Sequence, residues 1–202
     1  MASSARAFRK LKIGLHPLEP VESERNWLLG CVASKAKGTL RCIDVTHIKA
    51  HQDASNPEGG QQKQFIGHTK GGLNTKLSAI VHLNGNAIAL ALKSGPRADV
   101  RAATKELLGV LRVGDCLIGD KGCDSDALRA ELLKMGVRDC LANRSNRTED
   151  RRFNKGCCRK RHRVEDFFGR IKKARRIATR YEKLDAHFLG FVQLAAILDW
   201  LK

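Results

Sequence analysis

The sequence has few of the features that mark a membrane-spanning or disulfide-stabilised protein. It contains no long uninterrupted apolar stretch and, among its seven cysteines, no C-x-x-C pair. A transmembrane helix needs about 20 consecutive apolar residues, and structural zinc sites usually draw on paired cysteines. An odd cysteine count without a recognisable secretory signal favours reduced thiols in the cytoplasm. Membrane anchoring, a zinc-finger module and a secreted disulfide scaffold are therefore poor interpretations.

Acidic residues are also scarce, above all in one stretch. The chain of 202 residues has 38 Lys and Arg against 21 Asp and Glu, a formal net charge of +17. Between Arg144 and Lys183, sixteen basic residues stand against five acidic ones. An exposed helix usually mixes the two signs, whereas a surface that follows a phosphate backbone does not. The charge therefore predicts a polyanionic partner, most simply nucleic acid.

The apolar pattern predicts one α/β domain over residues 39–202, preceded by a basic segment at 1–38 that we expect to be partly disordered or helical. The domain should hold a mixed sheet, three antiparallel strands followed by βαβ units, with helices on both faces. A tight turn at Asn84 and Gly85 should join the second strand to the third. Strands are predicted at 39–45, 76–83, 87–93, 116–120 and 137–142, helices from Pro96 and at 125–135, 159–176 and 186–201, and loops at 50–72 and 143–158.

Three carboxylates stand out against this basic background. Asp44 and Asp120 lie near the ends of predicted strands, where ligand sites gather in such sheets, and Glu165 lies in the basic helix. Mg²⁺ prefers oxygen ligands of this kind, and two such ions about 4 Å apart can activate a water or a 3′-hydroxyl. Beside a basic surface, the three acids predict phosphodiester chemistry on nucleic acid that depends on Mg²⁺ or Mn²⁺.

The segment that contains Asp44 has two alternative interpretations. A solvated strand terminus is the simpler explanation of any single aspartate. A zinc site of a hydrolase is the other, although the segment is predicted to leave its strand and enter a loop. The four residues with suitable spacing are Asp44, His47, His51 and Asp53.

The basic helix places three charged side chains on one face. Arg161, Glu165 and Lys172 are separated by four and then seven residues, which brings them together beside the apolar stripe. Charges at this spacing are also typical of an exposed, ion-paired helix face. The dense basic surroundings favour the phosphate-binding interpretation.

Four segments, taken in order, resemble the DDE transposases of bacterial insertion sequences, in the insertion sequence family five group. Each motif alone is weak, but four in the same order are highly specific, and the resemblance runs from about Trp27 to the C-terminus. The segments are Ile43–Thr46 with Lys49–His51, then Gly71–Lys76, then Gly119–Arg129, and finally Arg161–Glu165 with Arg175–Tyr181.

The resemblance implies an RNase H-like fold in which Asp44, Asp120 and Glu165 are catalytic metal ligands. It also implies that Arg161 and Lys172, which flank the glutamate in the family's Tyr-Arg-Glu-Lys signature, contact the DNA of the transposon ends. A homodimer is expected in the DNA complex, because transposition requires two ends held together. Further basic side chains expected on DNA are Arg163, Lys173, Arg175, Arg176 and Lys121.

Three departures from the family pattern bear on competence to transpose rather than on fold. Cys158 stands where the signature has Tyr, and Cys123 stands where a Tyr usually follows the second Asp. Both changes remove an aromatic ring that would stack on a base or pack against DNA. The segment before Asp44 is short for the family, as expected of a truncated copy or of the second half of a frameshifted pair.

The combined expectation is a cytoplasmic, nucleoid-associated bacterial transposase without membrane contact. It would cleave the 3′ ends of an insertion sequence and transfer them to target DNA. Two alternatives stay open. One is a catalytically inactive, truncated DNA-binding remnant, and the other is a non-enzymatic basic protein that binds nucleic acid.

Overall fold

The computed structural model describes Leu29 and residues 39–94, 107–145 and 155–202. In these residues seven strands form one sheet: β1 (Leu40–Ala50), β2 (Gly67–Thr69), β3 (Gly72–His82), β4 (Ala87–Ser94), β5 (Cys116–Gly119), β6 (Arg138–Leu141) and β7 (Thr179–Arg180). The helices are α1 (Asp126–Lys134), α2 (Lys155–Cys158), α3 (His162–Ile171), α4 (Arg175–Ala178) and α5 (Asp185–Trp200). Single 3₁₀ turns cover Gln52–Ala54, Lys121–Cys123 and Arg159–Arg161.

β1 is the centre of the sheet. β3 pairs antiparallel with one edge of β1, and β4 pairs antiparallel with β3. On the other edge β5 pairs in parallel with β1, and β6 in parallel with β5. Short β2 extends the edge of β3, and short β7 extends that of β1. The order β4-β3-β1-β5-β6 with these directions is that of the RNase H-like fold, so the predicted mixed sheet is confirmed.

Helices cover both faces of the sheet, as predicted. Alternate residues of a strand point to opposite faces, so Cys42 and Ile43 of β1 enter different cores. The core of Cys42 includes the apolar stripe of α3 and the inner side of α5, and the core of Ile43 includes α1 and residues 107–111. Because Asp44 is two residues from Cys42, it lies on the face that α3 covers.

The predicted boundaries of the first strands were wrong, and the observed boundaries change the position of Asp44 within its strand. β1 continues to Ala50 instead of ending at Val45, because it pairs with β3 as far as Lys49 and then with β7. β3 begins at Gly72 instead of residue 76, and β2 lies inside the loop predicted at 50–72. Asp44 is therefore a mid-strand residue rather than one near a strand end.

The helix predicted over 159–176 is interrupted. A 3₁₀ turn covers Arg159–Arg161, α3 ends at Ile171, and α4 begins at Arg175. The next inward positions after Ile171 would be residues 174 and 175, so a continuous helix would drive a guanidinium into the core. The turn instead buries Ile177, which is 2% exposed. The loop predicted at 143–158 was also wrong at its end, because α2 forms there.

Arg170 holds α3 in place against the sheet. Its Nε and Nη2 each donate a hydrogen bond of 2.8 Å to the Asp199 carboxylate near the end of α5. Nη2 also donates to the Gly85 carbonyl at 2.7 Å, in the turn between β3 and β4. Gly85 has a φ of +89°, as the predicted turn requires, whereas Asn84 is not left-handed. Three elements are thus joined at the C-terminal end of α3.

Some predictions fall outside the described residues. These are the nature of residues 1–38, apart from Leu29, and most of the helix predicted from Pro96. The residues at the end of that predicted helix, Leu107, Leu108 and Leu111, are buried. Among the helices that the structure describes, none has the length and apolar character needed to cross a bilayer.

Candidate active site

Asp44 lies on the α3 face of the central strand and is 18% exposed. Its Oδ1 accepts a hydrogen bond of 2.8 Å from the N–H of Val45. Burial raises the pKa of the Asp44 carboxyl, and the charges of Asp120 and Glu165 raise it further. The Val45 N–H and the guanidinium of Arg161 act against this increase without cancelling it. The carboxylate is therefore held where negative charge accumulates.

Asp120 follows β5 directly and lies next to Asp44 across two adjacent strands. Cys42 of β1 pairs in parallel with Ile118 of β5. Each aspartate stands two residues beyond its member of that pair, so the pleat directs both side chains to the same face. Because neighbouring strands are about 4.8 Å apart, the two acids are within direct electrostatic reach.

Gly119 and Gly122, on either side of Asp120, lie where an added side chain would meet close neighbours. A Cβ on Gly119 would lie 2.8 Å from Leu141 Cδ2 and 3.2 Å from Ile43 Cγ2. A Cβ on Gly122 would lie 3.1 Å from Oδ1 of Asp120. Such distances are too short for ordinary packing, so a side chain at either position would displace the loop or the acid.

Arg129 of α1 is the buried centre of the structure beneath this loop. It is 7% exposed and donates from Nε to Asp124 Oδ1 at 3.0 Å. Its Nη1 pairs with Asp139 of β6, and its Nη2 donates to the Leu141 carbonyl at 3.2 Å. One guanidinium therefore joins the loop after Asp120 to α1 and to the end of β6.

Arg144 holds the same loop from its outer side. Its backbone N–H donates to Asp124 Oδ2 at 2.9 Å. Its side chain donates to the carbonyls of Lys121 and Gly122, both at 3.1 Å. The roles of Arg129, Asp124 and Arg144 were not predicted from the sequence, because each depends on contacts between residues distant in the chain.

Glu165 lies on α3 and is 51% exposed. Its Oε1 pairs with Nη2 of Arg161 at 2.6 Å, while Nη1 of the same guanidinium pairs with Asp44 Oδ2 at 3.1 Å. The structure thus brings all three predicted acids to one face of the sheet, with Arg161 between the helical acid and the central strand. In the described residues, no group of three His, Cys, Asp or Glu side chains is placed to hold a metal ion.

Lys172 reaches back from the end of α3 to β1. Its Nζ donates to Thr46 Oγ1 at 2.6 Å and to the His47 carbonyl at 3.1 Å. Burial lowers the pKa of the Lys172 ammonium group. This cation therefore lies over the strand two to three residues beyond Asp44.

The other predicted DNA-binding residues lie on the surface. Arg176 is not free, because its Nη2 pairs with Glu182 at 2.7 Å and its guanidinium lies 4.8 Å from the centre of the Phe191 ring. The remaining ones are exposed on α3, on the turn after it, on α4 and on the loop after Asp120: Arg163, Lys173, Arg175 and Lys121.

Comparison with known proteins decides the family. A family model described as "Transposase DDE domain" matches residues 35–200. The chain belongs to the DDE transposase family. A Brucella ovis protein named as the candidate transposase of insertion sequence element IS6501 is 34% identical over 136 residues, which cover 64% of this chain and 100% of that protein. The resemblance to insertion-sequence transposases is therefore confirmed.

Solved transposase structures are more distant. The piggyBac transposase synaptic complex with hairpin DNA matches 78% of this chain at 12% identity and a TM-score of 0.49. The Mos1 strand transfer complex matches 93% at 14% identity and a TM-score of 0.37. The chain spans 45% and 62% of those two chains. With TM-scores below 0.5, the fold assignment rests on strand order and on the family match.

Cys123 and Cys158, which stand where the resemblance led us to expect tyrosine, occupy packed positions in this transposase domain. Cys123 is 4% exposed, and burial raises the pKa of its thiol, with the Asp120 charge acting in the same direction. Cys158 Sγ lies 3.8 Å from Cys140 Sγ of β6 and is half-buried. Neither thiol therefore offers DNA the flat ring that a tyrosine would present.

The zinc alternative gains nothing from this geometry. His51 Nδ1 pairs with Asp53 at 3.1 Å, and its ring lies 4.6 Å from that of Tyr181. His47 is exposed on β1, and burial lowers the pKa of its imidazole, with Lys76 and Lys172 contributing. These contacts place the two histidines in different surroundings rather than around one point.

Proposed function

We propose that this chain is the catalytic domain of an insertion-sequence transposase that cleaves the 3′ ends of its element and transfers them to target DNA. Residues 39–202 would form that domain, with residues 1–38 as a preceding segment. The observation that carries the proposal is that Asp44 and Asp120 each stand two residues beyond a paired position of adjacent parallel strands, with Glu165 of α3 near enough for its charge to affect Asp44. Family membership supplies the reaction class.

The carboxylate oxygens of the three acids are the donors that a hard divalent cation prefers. DDE transposases generally use divalent metal ions, and Mg²⁺ or Mn²⁺ takes carboxylate oxygens and water. Asp44 and Asp120 would hold the ion, and Glu165 would complete the set. Such an ion supplies Lewis-acid activation of a water or a 3′-hydroxyl and stabilises the leaving oxygen. Gly122 leaves space around the Asp120 carboxylate for this role, because a Cβ there would lie 3.1 Å from Oδ1.

The basic residues around the acids would bind and orient DNA. DNA phosphates would contact Lys172, which is held on the strand two residues beyond Asp44, and the exposed cations Arg163, Lys173 and Arg175. Each phosphate neutralised releases counterions, so affinity should fall steeply with salt. Six phosphate contacts would give a slope of about −5 in a plot of log affinity against log salt.

A strand-cleavage assay tests this function. The substrate is a labelled duplex that carries the inverted repeat flanking the element, with Mg²⁺ or Mn²⁺ added. We expect wild type to cut at the 3′ end and Asp120→Asn to bind without cutting. Asp126→Asn, an exposed acid in the first turn of α1, is the matched control and should cut as wild type does. Equal cleavage by Asp120→Asn would refute the site.

A DNA-binding remnant is the second candidate. The Arg161 contacts favour it, because they engage two of the carboxylates that a metal ion would need. Glu165 is paired with this guanidinium, and cysteine stands at both positions, 123 and 158, where the resemblance implies tyrosine. The same assay separates the two functions, since a remnant would bind the duplex with steep salt dependence and never cut it. Binding without any preference for the inverted repeat would point instead to a general basic nucleic-acid-binding protein.

A further inference from the structure

Arg161 makes a contact that a DNA-binding residue does not need. Its guanidinium bridges Asp44 Oδ2 at 3.1 Å and Glu165 Oε1 at 2.6 Å, while its own side chain is 32% exposed. Both carboxylates belong to the proposed metal site. The guanidinium therefore occupies one oxygen of each carboxylate, which a metal ion would otherwise bind.

Electrostatics explain why a bridge forms there. The negative charges of Asp120 and Glu165 act unfavourably on the Asp44 carboxylate, which is the most buried partner in the bridge, at 18% exposure. One guanidinium can satisfy two carboxylates through separate N–H groups, in a fork geometry that a lysine cannot reproduce. A divalent ion and Arg161 would therefore compete for Asp44 and Glu165.

We propose that Arg161 couples metal binding to DNA binding by acting as an internal cation on Asp44 and Glu165 until a DNA phosphate draws it away. This inference rests on the proposed function. With DNA bound, the guanidinium gains a phosphate partner and the two carboxylates become available to the metal ion. Without DNA, Arg161 holds Glu165 away from full coordination.

Linkage makes the effect reciprocal: DNA strengthens metal binding by the same factor by which metal strengthens DNA binding. Couplings of this type are commonly about 5- to 150-fold. Loss of the bridge should therefore produce two changes together. Metal binding should tighten in the free protein, and the further gain from DNA should disappear.

Mn²⁺ binding to the intact chain provides the test, with free Mn²⁺ followed by its paramagnetic resonance signal. We expect Arg161→Gln to bind Mn²⁺ about 5-fold or more tightly than wild type does. Arg159→Gln removes an equal charge from an exposed position two residues away and should leave affinity close to wild type. Arg161→Lys keeps the charge but loses the fork, so it should also bind more tightly than wild type.

A second series adds a saturating duplex and subtracts Mn²⁺ bound by the duplex alone. Wild type and Arg159→Gln should gain affinity on DNA, while Arg161→Gln should gain none. Arg161→Gln that matches wild type in both series would overturn the inference. Tightening by Arg161→Gln but not by Arg161→Lys would also overturn it, because general charge would then explain the effect without a bridge.

Failure of the inference can be told from failure of the proposed function. Asp44→Asn and Asp120→Asn should abolish specific Mn²⁺ binding whatever Arg161 does. If they do so while Arg161→Gln behaves as wild type, the metal site stands and the coupling falls. If no variant and no wild-type sample binds Mn²⁺, with or without DNA, the metal site and the coupling both fall.

Discussion

The two halves of the candidate site are built in different ways. Asp44 and Asp120 are fixed by the strands, and the loop after Asp120 is held by the buried Arg129. Glu165 projects from a helix surface, is half exposed, and takes its position from one partly exposed guanidinium, Arg161. Asp44, Asp120 and the loop after Asp120 form the strand half of the site, which is positioned by backbone geometry. Glu165 and α3 form the helix half, which is positioned by an ion pair.

This difference determines how easily each half of the candidate site can change its partners. Ion pairs deep in a protein are costly to break, whereas exposed pairs contribute little to stability. The strand half should therefore survive changes of salt and ligand, while Glu165 can change partner at small cost. Mutations that separate stability from ligand binding will reveal whether the contrast is real.

The largest expected effect is in the strand half. Arg129→Ala leaves Asp124, which is fully buried, without its guanidinium, so the free energy of unfolding should fall by about 3–5 kcal/mol. Chemical denaturation followed by circular dichroism measures it. Arg159→Ala, at an exposed position, is the control and should change stability by less than about 0.5 kcal/mol. Equal stability of the two variants would remove the contrast.

A smaller effect comes from glycines in the two halves. Gly119→Ala places a methyl group 2.8 Å from a buried Leu141 carbon, so stability should fall by about 1–3 kcal/mol. In α3, a Cβ on Gly169 meets nothing within 4 Å. Gly169→Ala should therefore raise stability by about 0.5–1 kcal/mol through helix propensity. Thermal unfolding of both variants gives the comparison, and a shift of the same sign in both would contradict it.

The smallest effect should be that of Glu165→Gln on folding. Its ion pair with Arg161 is largely exposed to water, so the free energy of unfolding should change by less than about 1 kcal/mol. Asp124→Asn, which removes a buried acid of the strand half, should cost more in the same urea titration. If Glu165→Gln proved the more destabilising of the two, the helix half would have to be regarded as a structural ion pair.

The architecture followed well from the sequence because it depends on local signals. Strand alternation, helical spacing and the Asn84-Gly85 turn are written in neighbouring residues, and they predicted the sheet and its two covered faces. The division of the basic helix could not be read in this way. The helix is divided because a continuous helix would point Arg175 into the apolar core. Residue spacing alone does not reveal what surrounds that position.

The sequence pattern singled out the three acids as candidates, and the motif resemblance implied that they form one site. Nothing in the spacing of Asp44 and Asp120 reveals that their strands are parallel neighbours. Arg129 carried one usable signal: it is one residue from buried Leu128 and three from buried Leu132, so it lies on the inner half of its helix. No sequence signal predicted the Arg161 bridge, because its contact with Asp44 joins residues that are distant in the chain.

The most direct test of the account is diffraction from crystals grown with Mn²⁺, using the anomalous signal of the ion. We predict a peak coordinated by both Asp44 and Asp120 at about 2.1 Å from their carboxylate oxygens. With duplex DNA bound, Glu165 should join them and Arg161 should contact phosphate. A peak elsewhere on the chain, or none near these two aspartates at saturating Mn²⁺, would contradict the account.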